Sequence, residues 1–310
     1  MLMAEPRRCG FKVVGSFSRI VRLGEGLSKG DRLSDAAIER AVDALKVCSE
    51  RMRERDVRKA RCVATEACRR AVNTPDFLSR VRDETGLEIE TITPEQEAEL
   101  TLAGCAALLS GEARHALVFD IGGGSTELTW LARNGDGCLH SEGFLSLPFG
   151  VVSITERFGH DRIPQADYVR IMDFIDERLV DFDRSHGISD RIDGGGVQML
   201  GTSGTMTTLG SLYLDLPRYD RSRVDGLDMH VETVRDLSAR LASQCCAERA
   251  RHPCIGEGRA DLVVAGCAIL EALCRRWPVS CLRVADRGIR EGLLLAMMEQ
   301  APGRDLRGTA

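Results

Sequence analysis

Apolar residues recur along this chain with two periods, and the switches between them mark out strands and helices. "FKVVGSFSRIVRLGEGL" alternates and is rich in β-branched residues, which predicts one or two strands. From Ser34 the spacing becomes helical, with Ile38, Val42, Leu45, Cys48 and Met52 on one face. Ser34 is placed as the N-cap and Asp35 in the first turn. "ARCVAT" reads as a short strand, "EACRRAV" as a turn or two of helix, and "PDFLSRVRDETG" as a helix stopped by Gly86. "LEIETIT" alternates like a strand. In "TPEQEAELTLAGCAALL", Thr93 is the N-cap, Pro94 takes the first helical position and Gln96 completes a capping box. That start puts Glu95 and Glu97 in the first turn.

The second half repeats the theme. An apolar strand ends at Asp120 and leads through a glycine turn into a second strand, "TELTWLA". "VQMLGTSGTMTTLGSLYL" predicts strand, tight turn and helix, and "CLRVADRGIREGLLLAMM" does the same. "ADLVVAGCAILEALCRRW" is a long apolar helix closed by Pro278. Strands alternating with helices in both halves predict an α/β chain of two related domains meeting near residue 101.

Composition narrows the function classes. The 310 residues are 43% hydrophobic and 29% charged, with a net charge of −5. An acidic chain is a poor general nucleic-acid binder, so no nucleic-acid partner is expected. No apolar run approaches the roughly 20 residues of a membrane span, and no secretory h-region opens the chain. The expected setting is cytoplasmic, with no membrane partner. Many of the twelve cysteines lie in apolar runs, among them Cys105, Cys267 and Cys274, and no C-x-x-C occurs. They read as reduced thiols packed as small hydrophobes.

Candidate chemistry lies in three turns and one helix start. In "DIGGGSTEL", Asp120 precedes Gly122, Gly123 and Gly124, and Ser125 and Thr126 add hydroxyls. Glycines allow positive φ and close approach to a ligand, so this turn is read as a phosphate grip. A strand rather than a helix follows, which sets it apart from Walker and dinucleotide-binding loops. "GTSGT", with Ser203, Gly204 and Thr205, precedes a helix; alone it fits an anion site or an ordinary cap equally. "ADRGIREG" combines Asp286, Gly288, Arg290 and Glu291 after a strand and alone reads as an ordinary junction. Glutamates in a first helical turn ordinarily complement the dipole. Glu97 gains chemical meaning only opposite a phosphate, where a carboxylate can take a proton from attacking water.

In this order and spacing, "ATEACRRAVN", "PEQEAEL", "DIGGGSTEL", "GTSGT" and "ADRGIREG" resemble the exopolyphosphatase / guanosine pentaphosphate phosphohydrolase (Ppx/GppA) family. The likeness runs from about "VGSFSRIVRLGEGL" to "REGLLLAMM", nearly the whole chain. It implies two related actin-like, ribonuclease H-like domains of the acetate and sugar kinase, heat-shock 70 and actin superfamily. Their expected spans are residues 1–101 and 102–302, with a tail at 303–310. It further implies that Glu97 is the catalytic base and that Asp120 contacts Mg²⁺ or Mn²⁺ through water. Gly122, Gly123, Gly124, Ser125, Thr126, Thr65, Arg69, Ser203, Gly204 and Thr205 would contact phosphate in a cleft between the domains. The implied substrates are inorganic polyphosphate or guanosine pentaphosphate, and the implied assembly is a homodimer. Family chains begin with a strand and an Asp-x-Gly-Ser-Asn-Ser motif that "MLMAEPRRCG" does not supply. The first domain is therefore expected to lack its initial strands, because the true start lies upstream or because the chain is a truncated member. The family's longer relatives carry further helical domains, so a short form of the enzyme is implied. "LPRYDRSRVDG" carries three arginines around Tyr219 and fits a polyanion path or a solvated loop. Two competing readings are a catalytically impaired polyphosphate or alarmone-nucleotide sensor and a superfamily kinase.

Overall fold

The structure, a computed structural model, describes residues 1–7, 10–27, 30–159 and 161–299. The expected tail at 303–310 lies outside these. Two compact units are present, Met1–Cys105 with Gly288–Ala310, and Ala106–Arg287.

In the first unit β1 (Leu2–Pro6) and β2 (Phe11–Ser16) form an antiparallel pair. α1 (Asp35–Glu54) follows, then β3 (Cys62–Ala64), α2 (Glu66–Arg70), α3 (Thr74–Thr85), β4 (Ile89–Thr91) and α4 (Pro94–Cys105). β3 and β4 pair in parallel as a separate two-stranded sheet. α1 begins where the pattern predicts: Ser34 Oγ accepts from the Ala37 N–H at 3.3 Å. Its Ile38, Ala41 and Val42 are buried with Phe77 and Val81 of α3. Gly86 ends α3 in the left-handed conformation at φ 71°. The strand expected in "FKVVGSFSRIVRLGEGL" stops at Ser16, and Leu2–Pro6 supplies a strand that its composition does not announce.

The second unit holds β5 (His115–Ile121), β6 (Thr126–Arg133), β7 (Leu139–Leu147), α5 (Val151–Phe158), α6 (Gln165–Asp176), α7 (Val180–His186) and α8 (Ile188–Asp193). After them come β8 (Val197–Thr202), α9 (Ser203–Tyr213), α10 (Arg221–Val224), β9 (Asp228–His230), α11 (Val231–Ser243), α12 (Cys246–Ala250), α13 (Val263–Arg276) and β10 (Cys281–Val284). One six-stranded sheet runs in the order β7-β6-β5-β8-β10-β9. β5 is antiparallel to β6 and parallel to β8, and β10 is parallel to β8. Phe119, Leu117 and Met199 of the central strands are fully buried, as are Ile269 and Leu270 of α13. Burying one such side chain contributes about 1.5–3 kcal/mol.

The last helix, α14 (Ile289–Glu299), belongs to the first unit and not, as chain order suggested, to the second. The first boundary likewise falls after Cys105 rather than near residue 101. The physical reason is a close crossing of α14 with α4. A Cβ on Gly292 would lie 1.9 Å from the Leu100 carbonyl oxygen, and one on Gly104 2.1 Å from that of Gly288. Only glycine permits helix backbones to approach so far.

Candidate active site

The candidate groups of the first unit are built on α4. Its start is fixed by the predicted capping box: Gln96 N–H donates to Thr93 Oγ1 at 3.2 Å, and Thr93 N–H to Gln96 Oε1 at 2.9 Å. This sets Glu97 facing inward, with only 7% of its surface exposed. Arg69 of α2 donates to Glu97 Oε2 at 2.8 Å and to the Ile92 carbonyl at 3.0 Å. Its Nη2 pairs with Glu66 at 3.2 Å. Burial pushes the Glu97 carboxyl above the ordinary glutamate value, the Arg69 hydrogen bond and charge pull it back, Glu66 raises it, and a Thr65 hydrogen bond lowers it. Thr65, Arg69 and Glu97, separated in sequence, are thus gathered around one carboxylate. A buried carboxyl with a raised pKa, oriented by an arginine, suits the work of a general base.

The second unit carries its own candidate groups, at the carboxyl ends of three neighbouring parallel strands. Asp120 of β5 stands in register with Thr202 of β8, and Gly201 of β8 with Val284 of β10. The turns after β5, β8 and β10 therefore leave the sheet at the same end, the usual ligand end of a parallel sheet. They are "DIGGGST", "GTSGT" and "ADRG". Thr202 Oγ1 ties two of them together by donating to the Arg287 carbonyl at 2.6 Å.

The glycine turn is held by its own backbone. Gly122 N–H donates to the Ser125 carbonyl at 3.0 Å, and the N–H groups of Val151 and Val152 donate to the carbonyls of Gly122 and Gly123. None of Gly122, Gly123 and Gly124 has positive φ, so that one of the two expected reasons for these glycines does not hold. A Cβ on Gly122 would stand 3.0 Å from the Ser125 carbonyl oxygen, and the turn in its place keeps residue 150 a glycine, since a Cβ there would fall 2.2 Å from the Gly122 carbonyl oxygen. Gly123 is exposed, and Gly122 and Gly124 are half-buried. Ser125 and Thr126 are buried, and the Thr126 hydroxyl donates to the Phe149 carbonyl at 2.9 Å.

At the second turn Ser203 has φ 82°, a left-handed conformation that a residue with a Cβ adopts only under strain. Ser203 and Gly204 are half-buried at the start of α9, whose first turn carries no side-chain cap at Thr202. Uncapped N–H groups there favour an anion. Thr205 is buried against α13, where a Cβ on Gly266 would meet its Oγ1 at 2.3 Å.

Two residues were missed by the sequence reading. Arg259 donates to Thr208 Oγ1 at 2.9 Å, and its guanidinium carbon lies 3.8 Å from a Cβ placed on Gly204. It brings positive charge to the α9 N-terminus, yet its only signal was a lone arginine ahead of an apolar helix. Glu127 of β6 stands directly opposite Asp120 of β5. Directly opposed carboxylates repel unless a cation or hydrogen bonds offset them; Ser146 Oγ donates to Glu127 at 3.2 Å. Two oxygen donors of this kind fit Mg²⁺ or Mn²⁺, which complete their shells with water and substrate oxygens. No group of three or more His, Cys, Asp or Glu side chains suited to a metal occurs among the described residues. The arginine-rich loop is tied to the third turn: Tyr219 donates to Asp286, and Arg221 pairs with it at 3.4 Å. Arg218 and Arg223 are exposed.

An α/β fold with phosphate-type turns at the ends of parallel strands and an oriented carboxylate defines a phosphoryl-handling class. The chain matches the Ppx/GppA phosphatase family over residues 2–301, and it belongs to that family. It is 29% identical to the Aquifex aeolicus Ppx/GppA family member, with a TM-score of 0.78 over 98% of this chain and 94% of that one. An exopolyphosphatase-like protein is 26% identical, with a TM-score of 0.81 and 94% of each chain covered. An exopolyphosphatase from Cytophaga hutchinsonii, 24% identical, shares the fold at a TM-score of 0.85 over 96% of this chain and 93% of that one. The coarse activity, phosphate-ester or anhydride hydrolysis, follows from the family. Among the described residues no helix is long and apolar enough to cross a membrane.

Proposed function

We propose that the chain is a metal-assisted phosphohydrolase that removes terminal orthophosphate from inorganic polyphosphate, with guanosine pentaphosphate as the alternative substrate. The observation that carries this reading is Glu97, buried, oriented by Arg69 and raised in pKa. The similarity to exopolyphosphatases supports polyphosphate as the first substrate to test.

In this reading Glu97 orients a water molecule and accepts its proton as the water oxygen bonds to the terminal phosphorus. The bond from that phosphorus to the bridging oxygen breaks, and the shortened chain leaves with the bonding electrons. The Gly123 and Gly124 backbone, in a turn closed by the Gly122 N–H, the α9 start at Ser203 and Gly204, and Arg259 hold the phosphate oxygens. Ser125, Thr65 and Thr205 support those positions, and Thr126 fixes the turn through Phe149. Asp120 and Glu127 would hold Mg²⁺, which when bound spreads charge away from the transferring phosphoryl group.

The test is orthophosphate release with Mg²⁺ from both substrates, by the chain and by Glu97→Gln. Turnover lost in the variant while substrate still binds sustains the reading. Equal turnover in the two proteins removes Glu97 from the chemistry. Binding without turnover by the unaltered chain favours a sensor of polyphosphate or an alarmone nucleotide.

A further inference from the structure

The segment between α9 and β9 carries chemistry that the proposed hydrolysis does not use. Tyr219 stands there among Arg218, Arg221 and Arg223, and 38% of its surface is exposed. Its hydroxyl donates to a carboxylate oxygen of Asp286 in the third turn. Arg221 donates to the Asp286 carbonyl at 2.5 Å. With the hydroxyl engaged, what Tyr219 offers a ligand is its ring. Burial and the Asp286 hydrogen bond push its phenol above the ordinary tyrosine value, while the charges of Arg221 and Arg259 act the other way. Arg259 is the guanidinium beside Gly204 at the start of α9. The ring is thus bound to the third turn and within electrostatic reach of the cation at the second. Its segment is also fixed at the far end: Asp225 accepts from the Asp286 N–H at 3.0 Å and from Arg287 Nε at 3.0 Å.

These residue types discriminate among phosphate ligands. The face of an aromatic ring carries partial negative charge, so it offers nothing to a phosphate chain, whereas a base stacks on it. Stacking accepts any base, and a second group must choose among them. Arginine has donors only. Guanine sets two acceptors, N7 and O6, side by side where a guanidinium meets both, while adenine sets a donor beside its N7. Arg218 and Arg223, within four residues of the ring, are exposed. The carboxylates around them are occupied. Asp220 accepts from the Ser222 N–H at 2.9 Å and from its hydroxyl at 2.7 Å, and Asp225 and Asp286 hold the partners named above.

We propose that Tyr219 is a specificity-determining residue that stacks the guanine of a nucleoside polyphosphate, with Arg218 and Arg223 reading O6 and N7. The phosphates of that ligand run on toward the second and third turns, so the proposal rests on the reading of those turns as phosphate sites. Inorganic polyphosphate has no base and binds without Tyr219.

The probes are guanosine 5′-diphosphate, adenosine 5′-diphosphate and tripolyphosphate, titrated calorimetrically into the full chain with Mg²⁺. Tyr219→Ala should weaken the guanosine nucleotide at least about tenfold, the usual worth of one stacked base, and tripolyphosphate by less than about twofold. Tyr219→Phe keeps the ring and loses the bond to Asp286; it should bind the guanosine nucleotide within about twofold of the unaltered chain. Arg218→Gln with Arg223→Gln should erase the preference for guanosine over adenosine. In Tyr219→Trp the guanosine nucleotide should quench the added indole fluorescence, against the constant background of the buried Trp130 and Trp277. A residue that merely held the third turn would behave otherwise: Tyr219→Phe would fall as far as Tyr219→Ala, and tripolyphosphate would weaken with the nucleotide. Either result overturns the proposal, as does absence of quenching or a guanosine preference untouched by the arginine changes. A chain that binds the guanosine nucleotide through Tyr219 but releases no orthophosphate fails the hydrolase reading and upholds this one. A chain that hydrolyses polyphosphate and ignores the nucleotide does the reverse.

Discussion

In the second unit β5 hydrogen-bonds to a neighbour on each side; in the first, among the described residues, β1 and β3 each pair on one side only. The consequence is a different way of holding functional groups. The second unit presents its turns from the ends of buried parallel strands, so backbone position does most of the work. In the first unit, Glu97 is fixed by side chains, through the Thr93–Gln96 box and Arg69, and by the glycine-mediated crossing of α4 with α14. Two-stranded sheets contribute little stability alone. Glu97 accordingly takes its position from a helix start and not from a strand end.

Perturbing each side in turn sharpens this contrast. Glu97→Gln should reduce kcat by about 10²–10⁴-fold, the usual worth of a general base. A fall of less than tenfold in orthophosphate release would break the link between the α4 carboxylate and the chemistry. Phe119→Ala, at a fully buried position of β5, should lower stability by about 3–5 kcal/mol in denaturant titration. Gly292→Ala forces a methyl toward the Leu100 carbonyl and should cost about 1–3 kcal/mol, while displacing α4 and lowering kcat. If stability falls and kcat holds, the crossing is merely structural.

The raised pKa of Glu97 has a definite sign. Protonation is favoured in the folded state, so this group's contribution to stability is full below the ordinary glutamate value and is lost as pH rises through the raised one. Activity requires the ionised form. The acidic limb of kcat/KM should therefore lie above the ordinary glutamate range, and Arg69→Met should move it further up by removing the opposing charge. A limb unmoved in that variant would show that another group titrates. The smallest effect concerns Ser203. Ser203→Gly relieves the left-handed strain and should stabilise by about 1 kcal/mol in thermal melts, while raising KM if the hydroxyl meets phosphate.

Much of this was legible in the sequence because local rules and tertiary packing agree. Ser34, Thr93 and Gly86 cap helices where their chemistry predicts, and Ile38 and Val42 fall on the buried face of α1. The turns after β5 and β8 were marked by small residues following apolar strands. The rest depends on distant partners. Arg259 meets Gly204 across about fifty residues, and Glu127 faces Asp120 only through strand register. No periodicity announces either. α14 joins the first unit through backbone contact at glycines, which leaves no mark in a hydrophobic pattern. The glycine turn after β5 was legible, but none of its three glycines takes the positive φ anticipated for them, and the glycine its backbone requires by contact is the distant Gly150.

The first unit is made of two separate stretches, with the whole of Ala106–Arg287 between them. On the ribosome, α4 emerges with its glycine face uncovered and waits for α14. At roughly 5–20 residues per second, that interval lasts on the order of ten to forty seconds. The second unit can fold during it as a continuous piece. The order of synthesis thus leaves the glycine crossing of α4 with α14 among the last contacts of the first unit to form.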